Sequence, residues 1–211
     1  MGDIQTLVET LAQDASPVRL APHPFKLCAL WLAAAIAYLA LAFALSGLRP
    51  DIMLKLHQPW FVAEVVTLAL IITSTSLSAA LLAYPDLHQM RRTAYTPAYA
   101  LGALVLILID SWIKGNVPAP PHPHTFGCTL NIALFALLPA VWTLYVMRRF
   151  ASTHYRLAAS IALLFAFSIG AFWLRLHEDN DSIIHLMQWH YLPMLGCGVL
   201  GLWLGKLLLK W

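Results

Sequence analysis

Seven side chains in two stretches of this chain are of the kinds that hold soft cations or carry protons. His122, His124 and Cys128 lie in one stretch, 116–128, and Glu178, Asp181, His185 and His190 lie in or just after the other, 176–185. Imidazole and thiolate are ligands for zinc-like and copper-like ions, and a thiol of lowered pKa is a nucleophile. Spacing limits what either stretch does alone. His122, His124 and Cys128 match no standard site, and Pro118, Pro120, Pro121 and Pro123 make their loop extended and stiff, so the plainer reading is a solvated loop. In the second stretch Asp181 and His185 share a face if the last helix begins at Asp181. His190 follows His185 by five residues, about 140° round an α-helix, so these two are not expected to form a helical metal pair. The acids 178, 179 and 181 lack the alternation and terminal glutamate of a calcium loop. The expectation is a helix cap and polar network that responds to pH or metal, with no particular ion assigned.

Enzymatic chemistry finds no foothold. No Ser-His-Asp, HExxH or paired-carboxylate spacing occurs, so no residue is assigned as catalytic. Gly196, Gly198 and Gly201 spell GxGxxG, but no strand precedes them and a nucleotide-binding reading fails. Gly201 with Gly205 is read instead as a GxxxG face for close helix packing. Haem would require histidines buried on facing helices, and only His190 falls within an apolar run, so no cofactor is expected. Cys28, Cys128 and Cys197 show no CxxC spacing and suggest no disulfide framework.

The elements that must position these groups are set by composition. Of 211 residues 60% are hydrophobic and 11% charged, with a mean hydropathy of +0.71. A soluble domain carries roughly a quarter charged residues, so this is an integral membrane protein. Uncharged runs at 27–48, 65–84, 94–109 (continuing to 113), 126–147, 157–174 and 186–205 approach the roughly 20 residues needed to cross a bilayer as a helix. Helices satisfy their own backbone groups in lipid, which predicts an all-α bundle of six transmembrane helices, 27–211. Pro139, Pro193 and Gly196 inside the runs mark kinks or close packing.

Basic residues orient the bundle. Arg19, Lys26, Arg91, Arg92, Arg148, Arg149, Arg156, Lys206 and Lys210 fall on one side, and Arg49, Lys55, Lys114 and Arg175 on the other. Nine against four places both termini in the cytoplasm. Trp60, Trp112, Trp173 and Trp189 then form an aromatic belt at the outer face. Glu64 and Asp110, near that face, need counter-charges, and Arg49, Lys55, Lys114 and Arg175 are the available ones. Ionisable groups gather at the outer rim rather than mid-bilayer, which counts against the alternative of a small multi-pass transporter or transport subunit. The acidic N-terminus, with its first apolar run starting only at Leu27, does not read as a signal peptide.

Residues 1–26 remain as a cytoplasmic segment. Ile4, Leu7, Val8 and Leu11 line one face of a short amphipathic helix, with Asp3, Gln5, Glu9 and Gln13 on the others. Such a helix is marginal alone and gains stability by laying its stripe in a partner's groove. Asp3, Glu9 and Asp14, with no Lys or Arg before Arg19, favour a protein partner over anionic lipid. The cytoplasmic loops are short, so this segment is the main surface available to a soluble protein.

The order of several short patterns resembles the NrsF family of multi-pass anti-sigma factors. They are Leu7, Val8, Leu11, Asp14, Pro17, Val18, Arg19 and Leu20 in the tail, then Leu48-Arg49-Pro50-Asp51, and Gly127-Cys128. The acidic loop with His185 and His190, and the closing Gly205-Lys206 with Leu208, complete the pattern along essentially the whole chain. The resemblance implies an inner-membrane protein that holds an extracytoplasmic-function sigma factor through Asp3, Ile4, Leu7, Val8, Leu11, Asp14, Pro17 and Arg19, without touching nucleic acid itself. It also implies release on a stress signal. The family links a pair of outer-side cysteines to sensing. Cys128 matches the first, the second is absent near Leu176, and the acids and histidines become the alternative sensor.

Overall fold

A computed structural model of the chain describes residues 2–13, 21–114 and 125–210. Asp14, Pro17, Arg19, His122 and His124 therefore lie outside the described residues. The elements in order are α1 (Gly2–Gln13), α2 (Pro24–Ser46), α3 (Ile52–Lys55), α4 (Pro59–Leu82), α5 (Arg91–Ala94), α6 (Thr96–Ile113), α7 (Thr125–Met147) and α8 (Tyr155–His177). The chain finishes with a short α9 (Ile183–His185), a π-helical stretch (Leu186–Tyr191) and α10 (Leu192–Leu208). No strand occurs among the described residues. Among the described residues six helical spans are long and apolar enough to cross a membrane, as the sequence predicts. Their outward rows are apolar: Ile36 and Leu45 on α2, Leu134 and Val141 on α7, and Val199 and Trp203 on α10 are all exposed, which suits lipid and not water.

Helix boundaries differ from the hydropathy runs for local reasons. Span one begins at Pro24, a proline at the helix start whose missing N–H costs nothing there, and the His23 ring accepts a hydrogen bond from the Phe25 N–H (3.3 Å). Gly47, at φ +77°, ends it. Span two starts at Pro59 rather than near 65, because Glu64 is paired inside the bundle and does not interrupt the helix. Span three extends from Arg91 to Ile113 through the break between α5 and α6.

The centre of the bundle is α8, with α4, α7 and α10 packed around it and α2 and α6 outside α4. One face of α8 is built of Ala158, Ala159, Ala162 and Ala166, all fully buried, and small residues let neighbouring backbones approach. The GxxxG reading holds. A methyl group added at Gly201 would lie 2.5 Å from Ser160 Cα, and one at Gly205 would lie 2.3 Å from the Tyr155 carbonyl oxygen. The Ser160 hydroxyl donates to the Gly198 carbonyl across the same crossing (2.7 Å).

Both internal prolines are repaired from a neighbouring helix. Pro139 has no N–H for the carbonyl of Phe135, which instead accepts from the Tyr38 hydroxyl of α2 (3.0 Å). Pro193 likewise has nothing to offer the carbonyl of Trp189, which accepts from the Thr129 hydroxyl of α7 (2.8 Å). The second repair docks the π-helical stretch on α7, one residue from Cys128.

Candidate functional site

Two polar clusters meet at the end of the bundle that carries the links 47–58 and 178–182. The larger is an ion network around Asp181. Its carboxylate accepts from Arg49 (3.0 Å), Lys55 (2.6 Å) and Arg175 (2.8 Å). Arg49 also pairs with Asp51 (2.6 Å), and Arg175 with Glu64 of α4 (3.0 Å), whose other oxygen accepts from the Tyr191 hydroxyl. Three carboxylates face three cations, so the network is neutral, the condition under which charge is tolerated near hydrocarbon. Both guanidiniums are buried against aromatic rings, Arg175 at 4.6 Å and Arg49 at 5.4 Å from the centre of the Phe61 ring. Burial alone would raise the Asp181 pKa, but the hydrogen bonds from Arg49 and Lys55 and the charge of Arg175 lower it to about 2. The bidentate hydrogen bond from Arg49 likewise lowers Asp51. Asp110 pairs with Lys114 (2.7 Å) on the surface, away from this network.

The second cluster contains Cys128, Glu178, His185 and His190. The Cys128 thiol donates to Glu178 Oε1 (3.4 Å), His185 Nε2 lies 3.4 Å from the same oxygen, and His190 Nε2 lies 3.1 Å from Oε2. Both histidines are buried, and Cys128 and Glu178 are half-buried. Burial would raise the Glu178 pKa, but the hydrogen bond and charge of His190, followed by the charge of His185, bring it below the usual value. An open cleft of ≈ 610 Å³, bordered by Gly127, Asn131, His177 and Asn180, reaches the cluster.

Two sequence expectations are corrected by this geometry. His185 and His190 do form a helical pair, with ring centres 5.2 Å apart, because 186–191 is a π-helix whose hydrogen bonds close five residues apart instead of four. Five residues are then about one turn, and the 140° offset of an α-helix does not apply. Pro193 was the available signal, since a proline disrupts the turn before it. Asp181 and His185, by contrast, do not share a face. The helix begins only after Ser182, so Asp181 turns to the arginines while His185 turns to Glu178. Tyr191 and Thr129 have supporting roles that no sequence pattern indicated.

The N-terminal residues form the expected helix, α1, and Ile4, Leu7, Val8 and Leu11 are 57–72% exposed along its face.

These features define a polytopic helical membrane protein with a buried polar centre at one end and an amphipathic N-terminal helix. A family model described as "Negative regulator of sigma F" matches residues 11–211, and the chain belongs to this NrsF family of anti-sigma factors. It is 26% identical over 210 residues to "Anti-sigma-F factor NrsF" of Caulobacter vibrioides (strain NA1000 / CB15N), covering 97% of this chain and 98% of that protein. No solved structure matches. Membership makes the chain a regulatory protein whose partner is a sigma factor.

Proposed function

We propose that this protein is an inner-membrane anti-sigma factor that sequesters an extracytoplasmic-function sigma factor through residues 1–26 and releases it when a signal reaches the opposite face of the bundle. Both termini are cytoplasmic in this reading, as the distribution of Lys and Arg requires. The observation that carries it is the apolar stripe of α1. Four large apolar side chains stand exposed on a 12-residue helix, in a family described as negative regulators of sigma F. That stripe would cover a surface the sigma factor needs for core polymerase. Asp3, Glu9 and Asp14 would pair with basic groups on this DNA-binding partner, occupying positions its polyanionic target would otherwise take. The polar centre formed by Cys128, Glu178, His185, His190 and the Asp181 network is the natural receiver of the signal. A ligand there shifts the bundle between two packings only by as much as it prefers one of them.

The test uses the full-length protein in detergent micelles, with extracytoplasmic-function sigma factors of the same organism as prey. Leu7→Asp is expected to reduce capture about tenfold or more, since it sets a charge into an apolar contact worth a few kcal/mol. Undiminished capture by this variant, with the bundle still folded, would reject α1 as the contact.

A further inference from the structure

We propose that Cys128, Glu178, His185 and His190 form a binding site for a tetrahedral divalent cation of the zinc type. One ligand atom from each of the four lies within 4.8 Å of all the others. With metal–ligand bonds of about 2.0–2.3 Å, the ligands of a tetrahedral ion stand roughly 3.2–3.8 Å apart. The separations from the Glu178 carboxylate, 3.4 Å to Cys128 and to His185 from Oε1 and 3.1 Å to His190 from Oε2, fall near that range, and the other pairs lie within 4.8 Å, so closing on an ion calls for side-chain adjustment. Glu178 sits in the middle, hydrogen-bonded to Cys128 and His190 and 3.4 Å from His185 Nε2.

His190 is fully buried, and it is Nε2, 3.1 Å from Glu178 Oε2, that faces the other ligands. The donor set selects the class of ion. One sulfur, two imidazoles and one carboxylate suit a borderline d10 ion, whereas magnesium and calcium take oxygen ligands throughout. The ≈ 610 Å³ cleft provides an entry path.

Binding displaces the Cys128 thiol proton to water and takes the protons off the histidine Nε2 atoms, to water or to Nδ1 of the same ring, and no electron is transferred. Thiolate and carboxylate then balance the two positive charges of the ion, and the two imidazoles are neutral, so the loaded site carries no net charge at a depth where net charge is expensive. The Thr129 hydroxyl on the Trp189 carbonyl holds the π-helical stretch against α7 and fixes the distance between the Cys128 and His190 ligands. Its regulatory meaning rests on the reading above: an ion joining α7 to the segment 178–190 is the signal that favours one packing of the bundle.

The experiment is titration of the purified full-length protein, without a polyhistidine tag, with Zn2+ by calorimetry and with Co2+ by absorption. The expected result is one equivalent bound, with visible bands of tetrahedral cobalt and a near-ultraviolet thiolate charge-transfer band. Cys128→Ser removes the charge-transfer band, and Glu178→Gln weakens binding about tenfold or more. The double variant His122→Gln/His124→Gln leaves both unchanged. No stoichiometric binding by the native protein, an octahedral cobalt spectrum, or a signal lost only with His122 and His124 would overturn the site. The native spectrum decides even where a variant does not fold. Sigma-factor capture is measured on the same preparations. A tetrahedral cobalt spectrum from a protein that captures no sigma factor even before the ion is added would reject the anti-sigma reading through α1 and leave the ion site standing, and capture by a protein that gives no such spectrum would do the opposite.

Discussion

Asp181 holds together three parts of the chain that are far apart in sequence: Arg49 and Lys55 between the first two spans, and Arg175 at the end of α8. Replacing it with asparagine leaves these cations, two of them buried, without their common counter-ion. Asp181→Asn is expected to cost about 2–4 kcal/mol, below the upper end for a buried pair because the carboxylate is partly open to solvent. Thermal unfolding in micelles followed by circular dichroism checks this. The same residue sets an acid limit. Its pKa falls from 3.8 when exposed to about 2 when folded, so its stabilisation is complete above 3.8 and is lost as the pH falls toward 2. Glu178, also lowered, has the same sign. The native melting midpoint should therefore drop more steeply between pH 3.8 and 2 than that of Asp181→Asn, and parallel curves would contradict the assignment. Sequence patterns identified Asp181, Glu178, Cys128 and the two histidines as the interesting groups but misjudged their grouping. Partners such as Glu64 and Arg175 are 111 positions apart, and no local spacing encodes such a pair.

Among the elements, the two cross-helix repairs of proline explain why α7 can contain Pro139 and how the last span accommodates Pro193 after its π-helical stretch. Tyr38→Phe leaves the Phe135 carbonyl without its donor in a low-dielectric setting and is expected to lower stability by about 0.5–1.5 kcal/mol. In a Pro139→Ala background the backbone bond returns, so the same change should cost less, and a thermodynamic cycle of melting curves measures the difference. At the α8–α10 crossing, Gly205→Val has no room against the Tyr155 carbonyl and Arg156 Cα. It should reduce the yield of monodisperse protein on gel filtration or drop the melting midpoint by several degrees, the signature of overpacking. The existence of all six spans was legible because each is a long run with few charges. Their starts were less legible where a charged residue is neutralised from another helix, as Glu64 is, or where a proline opens the helix, as Pro24 and Pro59 do.

For the whole molecule, an even number of spans and the bias of basic residues predict that both termini share the cytoplasm. A green fluorescent protein fused after residue 210 should fluoresce, and alkaline phosphatase inserted at 178–182 should be active, with the opposite pattern reversing the proposed topology. The fold also determines how its two polar clusters depend on each other. Glu178 belongs to one and Asp181 to the other, yet only two residues separate them. Such a short bridge cannot change its tension at one anchor without altering it at the other. Weakening the arginine anchorage should therefore retune the affinity of the neighbouring site, and filling that site should change the acid tolerance of the arginine clamp by the same free energy.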